Sequence, residues 1–255
     1  MNASIIICTY NEEKTIAEVV KACCIYNPDY EIIVVDDGSF DNTENVLNNL
    51  AKKFSFRYEK IESNRGKSWA MVHGIEKATN EIILFFDADV SNIKREHFMD
   101  LLTPLINDKA DMVLGQPSET LIDYRINPFK SLTGERALFK RDITPILDDI
   151  REIRFGVETF INLYYQAQGK RISYVLLEGL KHPTKYEKTT PINATKEFIN
   201  EGKEIALTLI NNHDLITKRV ELLIKQANVN AINKINVMQK EINDKLQRLK
   251  DKFDF

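Results

Sequence analysis

Asp87 and Asp89 close the apolar run Ile82-Ile-Leu-Phe-Phe86, so two carboxylates stand where water is being excluded. An ionised carboxylate taken out of water costs several kcal/mol or shifts its pKa. A bound divalent cation would remove that penalty and give both residues one task. Spacing i, i+2 puts the two side chains on one side of an extended segment, while Ala88 points away and can pack. Hard cations favour oxygen ligands, and magnesium is typically held by one or two carboxylates plus substrate phosphates. The chemistry open to the pair is therefore to hold Mg²⁺ or Mn²⁺ against a diphosphate; the competing reading is two solvated aspartates at a strand end.

Three further polar clusters carry groups of the same usefulness: Thr9-Tyr10-Asn11-Glu12, Asp36-Asp37, and Asn64-Arg65-Gly66-Lys67. Each alone has an ordinary explanation. Asp37-Gly38-Ser39 followed by Asp41 is a common turn and helix-cap composition, and Asn64 to Lys67 could simply lead into a helix. A helix start with Arg and Lys beside it also suits a phosphate or a nucleobase edge.

The elements that must position these clusters alternate over the first 115 residues. Strands are expected over Ser4–Cys8, Glu31–Val35, Phe56–Ile61, Ile82–Phe86 and Met112–Leu114. Helices are expected over about Glu12–Tyr26, Asn42–Lys53, Gly66–Thr79 and Ile93–Ile106. Short continuous apolar strands separated by helices predict an α/β, Rossmann-like, mostly parallel sheet covered on both faces. Ligands of such sheets bind beyond the carboxyl ends of the strands. All four clusters follow strands, so they converge at one edge if the strands are parallel.

The chain has 255 residues, 43% hydrophobic and 29% charged, with net charge −3. These values describe an ordinary globular protein and argue against disorder and against a broad nucleic-acid surface. No apolar stretch approaches the roughly 20 residues that span a bilayer, and no signal-type segment is visible, so the expected location is the cytoplasm. Cys8, Cys23 and Cys24 are too few for a disulfide framework and read as buried thiols.

Taken together, Ile5-Ile-Ile-Cys-Thr-Tyr-Asn-Glu-Glu-Lys-Thr-Ile16, Ile33-Val-Val-Asp-Asp-Gly-Ser39 with Asp41-Asn-Thr43, Asn64-Arg-Gly-Lys67 and Phe85-Phe-Asp-Ala-Asp-Val90 resemble the family 2 glycosyltransferases of the GT-A fold in order and spacing. The resemblance covers about residues 4 to 185. It implies a nucleotide-sugar donor, UDP favoured over GDP. Thr9, Tyr10, Glu12, Asp36 and Asp37 would lie around base and ribose, with Arg65, Lys67 and Ala88 beside the nucleotide. Asp87 and Asp89 would be the DxD pair, with Asp89 the more direct metal ligand. It further implies a carboxylate at a helix start, here Glu158 in Phe155-Gly-Val-Glu-Thr-Phe160, acting as base for inversion or as a ligand of donor-sugar hydroxyls, with plain helix capping as the third reading. Thr159 departs from the Glu-Asp pair of many members. Glu135 and Arg136, after Gly134, are expected at the acceptor. The same segments also resemble glucosyl- and mannosyl-glycerate synthases and polyprenyl-phosphate transferases. The former carry a metal-binding histidine in a comparable place, so His182 is expected as a third metal ligand rather than an ordinary surface or core histidine, and Lys181 and Lys185 as phosphate contacts rather than a solvated loop. Retaining transfer to a small phosphorylated acceptor such as phosphoglycerate, and a non-catalytic sugar-nucleotide-binding scaffold, are the alternatives.

The chain is expected to divide into a GT-A domain over 1–190 and a helical extension over 191–255. From Val220 apolar residues recur with an eleven-residue repeat, Ile224, Ala227, Ala231, Ile235, Met238, Ile242, Leu246, Leu249 and Phe253, the period of a nearly straight helix. A second copy, a folded-back helix over about Thr195–Ile210 or a membrane surface could cover that stripe, the last placing the chain peripherally at the inner face of the membrane. Dimerisation is the expectation, and packing on the chain's own domain the alternative.

Overall fold

The computed structural model describes residues 2–119, 133–153, 156–181 and 207–226, with 240, 241, 243–245 and 248. Its centre is a seven-stranded sheet. The strands are β1 (Ala3–Thr9), β2 (Glu31–Asp36), β3 (Arg57–Lys60), β4 (Ile82–Phe85), β5 (Met112–Glu119), β6 (Arg136–Phe139) and β7 (Ile172–Lys181), in the order β3-β2-β1-β4-β6-β5-β7. β1 pairs in parallel with β2 and β4, β2 with β3, and β5 with β7. Only β6 runs antiparallel, to both β4 and β5.

Alternation along the central strands builds a core on each face. Ile5, Ile7, Ile32, Val34 and Leu84 pack in one cluster, whereas Ile6, Ile33, Val35, Ile83 and Phe85 pack in the other. The first cluster is covered by α1 (Ile16–Tyr26), α2 (Thr43–Ala51) and α4 (Arg95–Ile106), through residues such as Val19, Leu47 and Leu101. The second is covered by α3 (Lys67–Lys77) and, after the short α5 (Lys140–Ile143), by α6 (Leu147–Arg151) and α7 (Val157–Ala167). This two-sided burial is why the strands read as unbroken apolar runs.

Three details depart from the pattern expected from sequence. The first helix begins at Ile16, because residues 12–15 form a turn in which Thr15 and Ile16 N–H groups donate to the Glu12 carbonyl. The strand expected over Met112–Leu114 runs on to Glu119. The third is β6, four residues long and inserted between β4 and β5. Being antiparallel, it starts at the edge where β4 ends, so Thr133, Gly134 and Glu135 arrive beside Asp87.

At its far end β7 bends at Gly179 (φ 80°). Lys181 then exchanges backbone hydrogen bonds with Ser91, at 2.9 and 3.1 Å. α8 (His213–Gln226) lies against α7 and buries Leu215 in the second core. Leu215 precedes the apolar stripe that begins at Val220, whose first members Val220 and Ile224 are only part-buried. The members of the repeat from Ala227 to Phe253 lie outside the described residues, as does most of the helix expected over Thr195–Ile210. Among the described residues no helix is long and apolar enough to cross a membrane.

Candidate active site

The loop after β1 is held by the loop after β2. Asn11, in the left-handed region at φ 56°, a conformation asparagine tolerates, donates its N–H to Ser39 Oγ (2.9 Å). Glu12 and Glu13 N–H groups donate to Thr43 Oγ1 (3.0 Å) and Asp41 Oδ2 (3.2 Å). In return Phe40 and Asn42 N–H groups donate to Asn11 Oδ1 (3.0 Å) and Glu13 Oε2 (2.9 Å). Ser39 and Asp41 thus do the turn-and-cap work that their composition suggests. The lacing leaves Tyr10 40% exposed and Thr9 on the cleft wall, its buried Oγ1 without a hydrogen-bond partner among the described residues.

Adjacent aspartates take different tasks. Asp36 is fully buried and accepts from Ser39 N–H (2.8 Å) and Tyr58 O–H (3.0 Å), so it braces the loop from within. Asp37 accepts from the Arg65 and Gly66 N–H groups at 2.9 and 2.7 Å and lines the cleft. Gly38 permits that approach: its φ is 74°, and a Cβ there would lie 2.7 Å from Asn64 N. The Arg65 guanidinium stacks over Trp69, 4.2 Å from the ring centroid. Gly66 then starts α3, whose first residue is Lys67.

These loops surround a cleft of about 620 Å³ at the carboxyl edge, lined by Thr9, Tyr10, Glu12, Asp37, Asn64, Gly66, Lys67, Asp87, Ala88 and Asp89, with Cys8 and Ala70 as floor. At its centre the Lys67 ammonium bridges Asp87 Oδ1 (2.8 Å) and Glu158 Oε1 (2.9 Å). Burial alone would lower the lysine's pKa, but the Asp87 and Glu158 carboxylates hold it well above its usual 10.5. Glu158 lies in the first turn of α7, behind left-handed Gly156. Burial would raise its pKa, yet Lys67 and then Arg136 hold the carboxyl below its usual 4.5, with the helix N-terminus acting in the same direction.

Glu135 and Arg136, expected from sequence at the acceptor, are both fully buried. Arg136 donates to the Thr133 carbonyl (2.7 Å) and to Asn162 Oδ1 (3.4 Å), while Thr133 O–H donates to Glu135 Oε2 (2.7 Å). In this arrangement Arg136 is an internal charge beneath Glu158.

Sequence reasoning missed Gly134 and the cleft-facing side of Cys8. A Cβ on Gly134 would sit 2.1 and 2.2 Å from the Asp87 oxygens, so any side chain there would push that carboxylate aside. No motif marks such a contact, because it depends on where β6 lands. Burial, helped by Asp87, Asp37 and Glu158 against the pull of Lys67, pushes the Cys8 thiol up to about 12.

The residues fit a divalent cation of the hard type. Asp87 and Asp89 both border the cleft, Gly134 cradles one of them, and no group of three His, Cys, Asp or Glu among the described residues would bind a metal unaided. Two carboxylates with the remainder from a phosphate ligand and water is the donor set magnesium prefers. His182 and Lys185 lie outside the described residues. Lys181, beside the former, is bridged to Ser91, two positions past Asp89.

Comparison with known proteins places this arrangement. The sequence model of glycosyl transferase family 2 matches residues 4–175. The poly-beta-1,6-N-acetyl-D-glucosamine synthase of Staphylococcus epidermidis is 34% identical over 155 residues, 60% of this chain and 32% of that protein. The UDP-N-acetylglucosamine--dolichyl-phosphate N-acetylglucosaminyltransferase of Methanococcus voltae is 30% identical over 150 residues, 52% of this chain and 59% of that one. The chain therefore spans only part of the length of these relatives. Among solved structures, glucosyl-3-phosphoglycerate synthase from Mycobacterium tuberculosis, in complex with Mn²⁺, UDP and phosphoglyceric acid, superposes with TM-score 0.64 at 20% identity, covering 82% of this chain and 78% of that one. Staphylococcus aureus TarS gives 0.61 at 19%, covering 88% and 71%. With its mixed seven-stranded sheet, GT-A architecture and a family match over most of its length, this chain belongs to glycosyl transferase family 2.

Proposed function

We propose that the chain transfers a sugar from a nucleotide-diphosphate donor, UDP before GDP, to an acceptor hydroxyl or phosphate with inversion, using Mg²⁺ or Mn²⁺ held by Asp87 and Asp89. The observation that carries this reading is one cleft in which Asp87, Asp89 and Lys67 face the loops after β1 and β2. Thr9, Tyr10, Glu12 and Asp37 suit a base and ribose, with Asp36 bracing them. Lys67 suits the diphosphate, as a point charge that can follow a phosphate oxygen. The metal would neutralise charge developing on the leaving diphosphate. Glu158, kept ionised by Lys67 and Arg136, can accept the acceptor's proton as the glycosidic bond forms.

One observation favours a second outcome. Glu158 shares the Lys67 ammonium with Asp87, so it can instead hold donor-sugar hydroxyls, and with no other base assigned, retaining transfer to a small phosphorylated acceptor is the second reading. Anomeric NMR of the product separates the two. His182, after the Ser91–Lys181 bridge, would complete the metal's ligands. Relatives acting on dolichyl phosphate, by name, motivate a polyprenyl-phosphate acceptor, which would put the chain at the inner face of a membrane, assembled through its C-terminal helix.

Thermal shift with UDP and GDP, each with and without Mn²⁺, tests the donor site, because a ligand of the native state stabilises by mass action. UDP with Mn²⁺ is expected to raise Tm in the native chain and much less in Asp89→Ala. Equal shifts in both proteins would remove the Asp89 metal site, and no shift with either nucleotide would remove the donor site.

A further inference from the structure

We propose that Lys67 is a placeholder cation: it occupies Asp87 until a divalent metal and a diphosphate arrive together, and so makes their binding mutually dependent. This rests on the donor-site reading above and adds a residue and an order of exchange to it.

Asp87 and Glu158 face two cations of very different freedom, Lys67 and Arg136. Arg136 faces Phe85 across the β4–β6 ladder. Cross-strand partners point to one face, and i, i+2 residues share it, so Arg136 lies on the side of the sheet that carries Asp87. Above it, Glu158 and Asn162 are one helical turn apart on the same face of α7. Arg136 is fully buried and tied to Asn162 and the Thr133 carbonyl, so it is fixed. Lys67 stands in the first turn of α3 with 40% of its side chain exposed, on a flexible four-carbon stem, so it can swing.

Asp87 cannot retreat toward β6 to make room. Gly134 closes that side, since a Cβ there would lie 2.1 and 2.2 Å from the Asp87 oxygens. A metal reaching Asp87 must therefore meet the ammonium 2.8 Å from Oδ1, and two cations on one carboxylate repel. Glu158 alone can keep Lys67, which still leaves it beside the metal. A diphosphate offers the ammonium an anion further into the cleft and releases Asp87. Metal alone should bind weakly, metal with nucleotide tightly, and by linkage each should raise the other's affinity equally.

The test reads free Mn²⁺ by electron paramagnetic resonance, with UDP or GDP absent or saturating, in the native chain and in Lys67→Met, with folding checked by Tm. In the native chain nucleotide should tighten Mn²⁺ at least tenfold, a coupling of about 1.4 kcal/mol. In Lys67→Met, Mn²⁺ alone should bind about fivefold tighter, whereas Mn²⁺ with nucleotide should not tighten. Equal tightening in both states would mean that Lys67 acts only through its field, and no tightening would mean that it does not compete; either overturns the exchange. If neither nucleotide changes Mn²⁺ affinity in the native chain, the donor-site reading itself falls. Should the variant not fold, a crystal structure of the native chain with Mn²⁺ and UDP decides. Lys67 Nζ on the diphosphate supports the exchange, and Lys67 Nζ still on Asp87 beside the metal overturns it.

Discussion

Replacing Gly134 by alanine should separate stability from activity. The added Cβ would lie 2.1 and 2.2 Å from the two Asp87 oxygens, where ordinary contact begins at 3.4 Å. Gly134 is not among the glycines with positive φ, so alanine meets no backbone strain and the whole effect is this collision. The yielding atoms are the end of one side chain, so the cheapest relief is rotation of Asp87 away from its rotamer, costing about 0.5–1.5 kcal/mol. The half-exposed ion pair to Lys67 adds about 0–1 kcal/mol. The variant should fold with a Tm lowered by about 1–10 °C. Activity should fall far more. Displacing a positioning carboxylate by about 1 Å costs on the order of 10²-fold in rate, or about 2.7 kcal/mol of barrier. Thermal unfolding and Mn²⁺-dependent nucleotide release, measured on the same preparation, give both numbers. Native activity in a folded Gly134→Ala chain would refute the idea that close packing against β6 sets the position of Asp87.

Asp36→Ala strips Ser39 N–H and Tyr58 O–H of their acceptor and should cost about 2–3 kcal/mol in urea unfolding; a loss under about 0.5 kcal/mol would mean that the loop is braced elsewhere. Glu158 has a folded-state pKa below 4.5, so its ionic contribution is complete above 4.5 and is lost as pH falls through the lower folded value. Stability and kcat/KM should both hold through pH 5, and removing the charge in Lys67→Met should move the acid limb to higher pH; an unmoved limb would assign it to another group. Iodoacetamide at neutral pH should label the cysteines slowly and in a set order, because burial pushes Cys24 up to about 11 and Cys8 to about 12. Peptide mass spectrometry should show Cys24 ahead of Cys8, and rapid labelling of Cys8 would contradict the burial that holds its thiol protonated.

What was legible in the sequence follows from periodicity and from position after strands. Ile5 to Ile7, Ile32 to Val35 and Ile82 to Phe86 are buried on both faces, so their apolar runs announce a covered sheet. Parallel pairing of β1, β2, β3 and β4 then brings Thr9, Asp37, Lys67 and Asp87 to one edge. The four-residue β6 was not legible, because Arg-Ala-Leu-Phe is too short for a period and its direction is set by tertiary pairing. With it went the meaning of Gly134 and the burial of Glu135 and Arg136, whose charges look like surface chemistry in a sequence. Asp36 and Asp37 look alike in the sequence too, and only the loops from β1 and β3 decide which one braces and which one faces the cleft.

On the proposed function, Asp87 and Asp89 would hold a metal that lets this chain cleave a nucleotide-sugar. Release of UDP from UDP-glucose and UDP-N-acetylglucosamine, with Mn²⁺ and then with excess EDTA, tests it in the native chain and in Asp87→Asn and Asp89→Asn. The expected result is release that needs Mn²⁺ and falls at least 10²-fold in either variant. Release that persists in EDTA, or is unchanged in both folded variants, would contradict it.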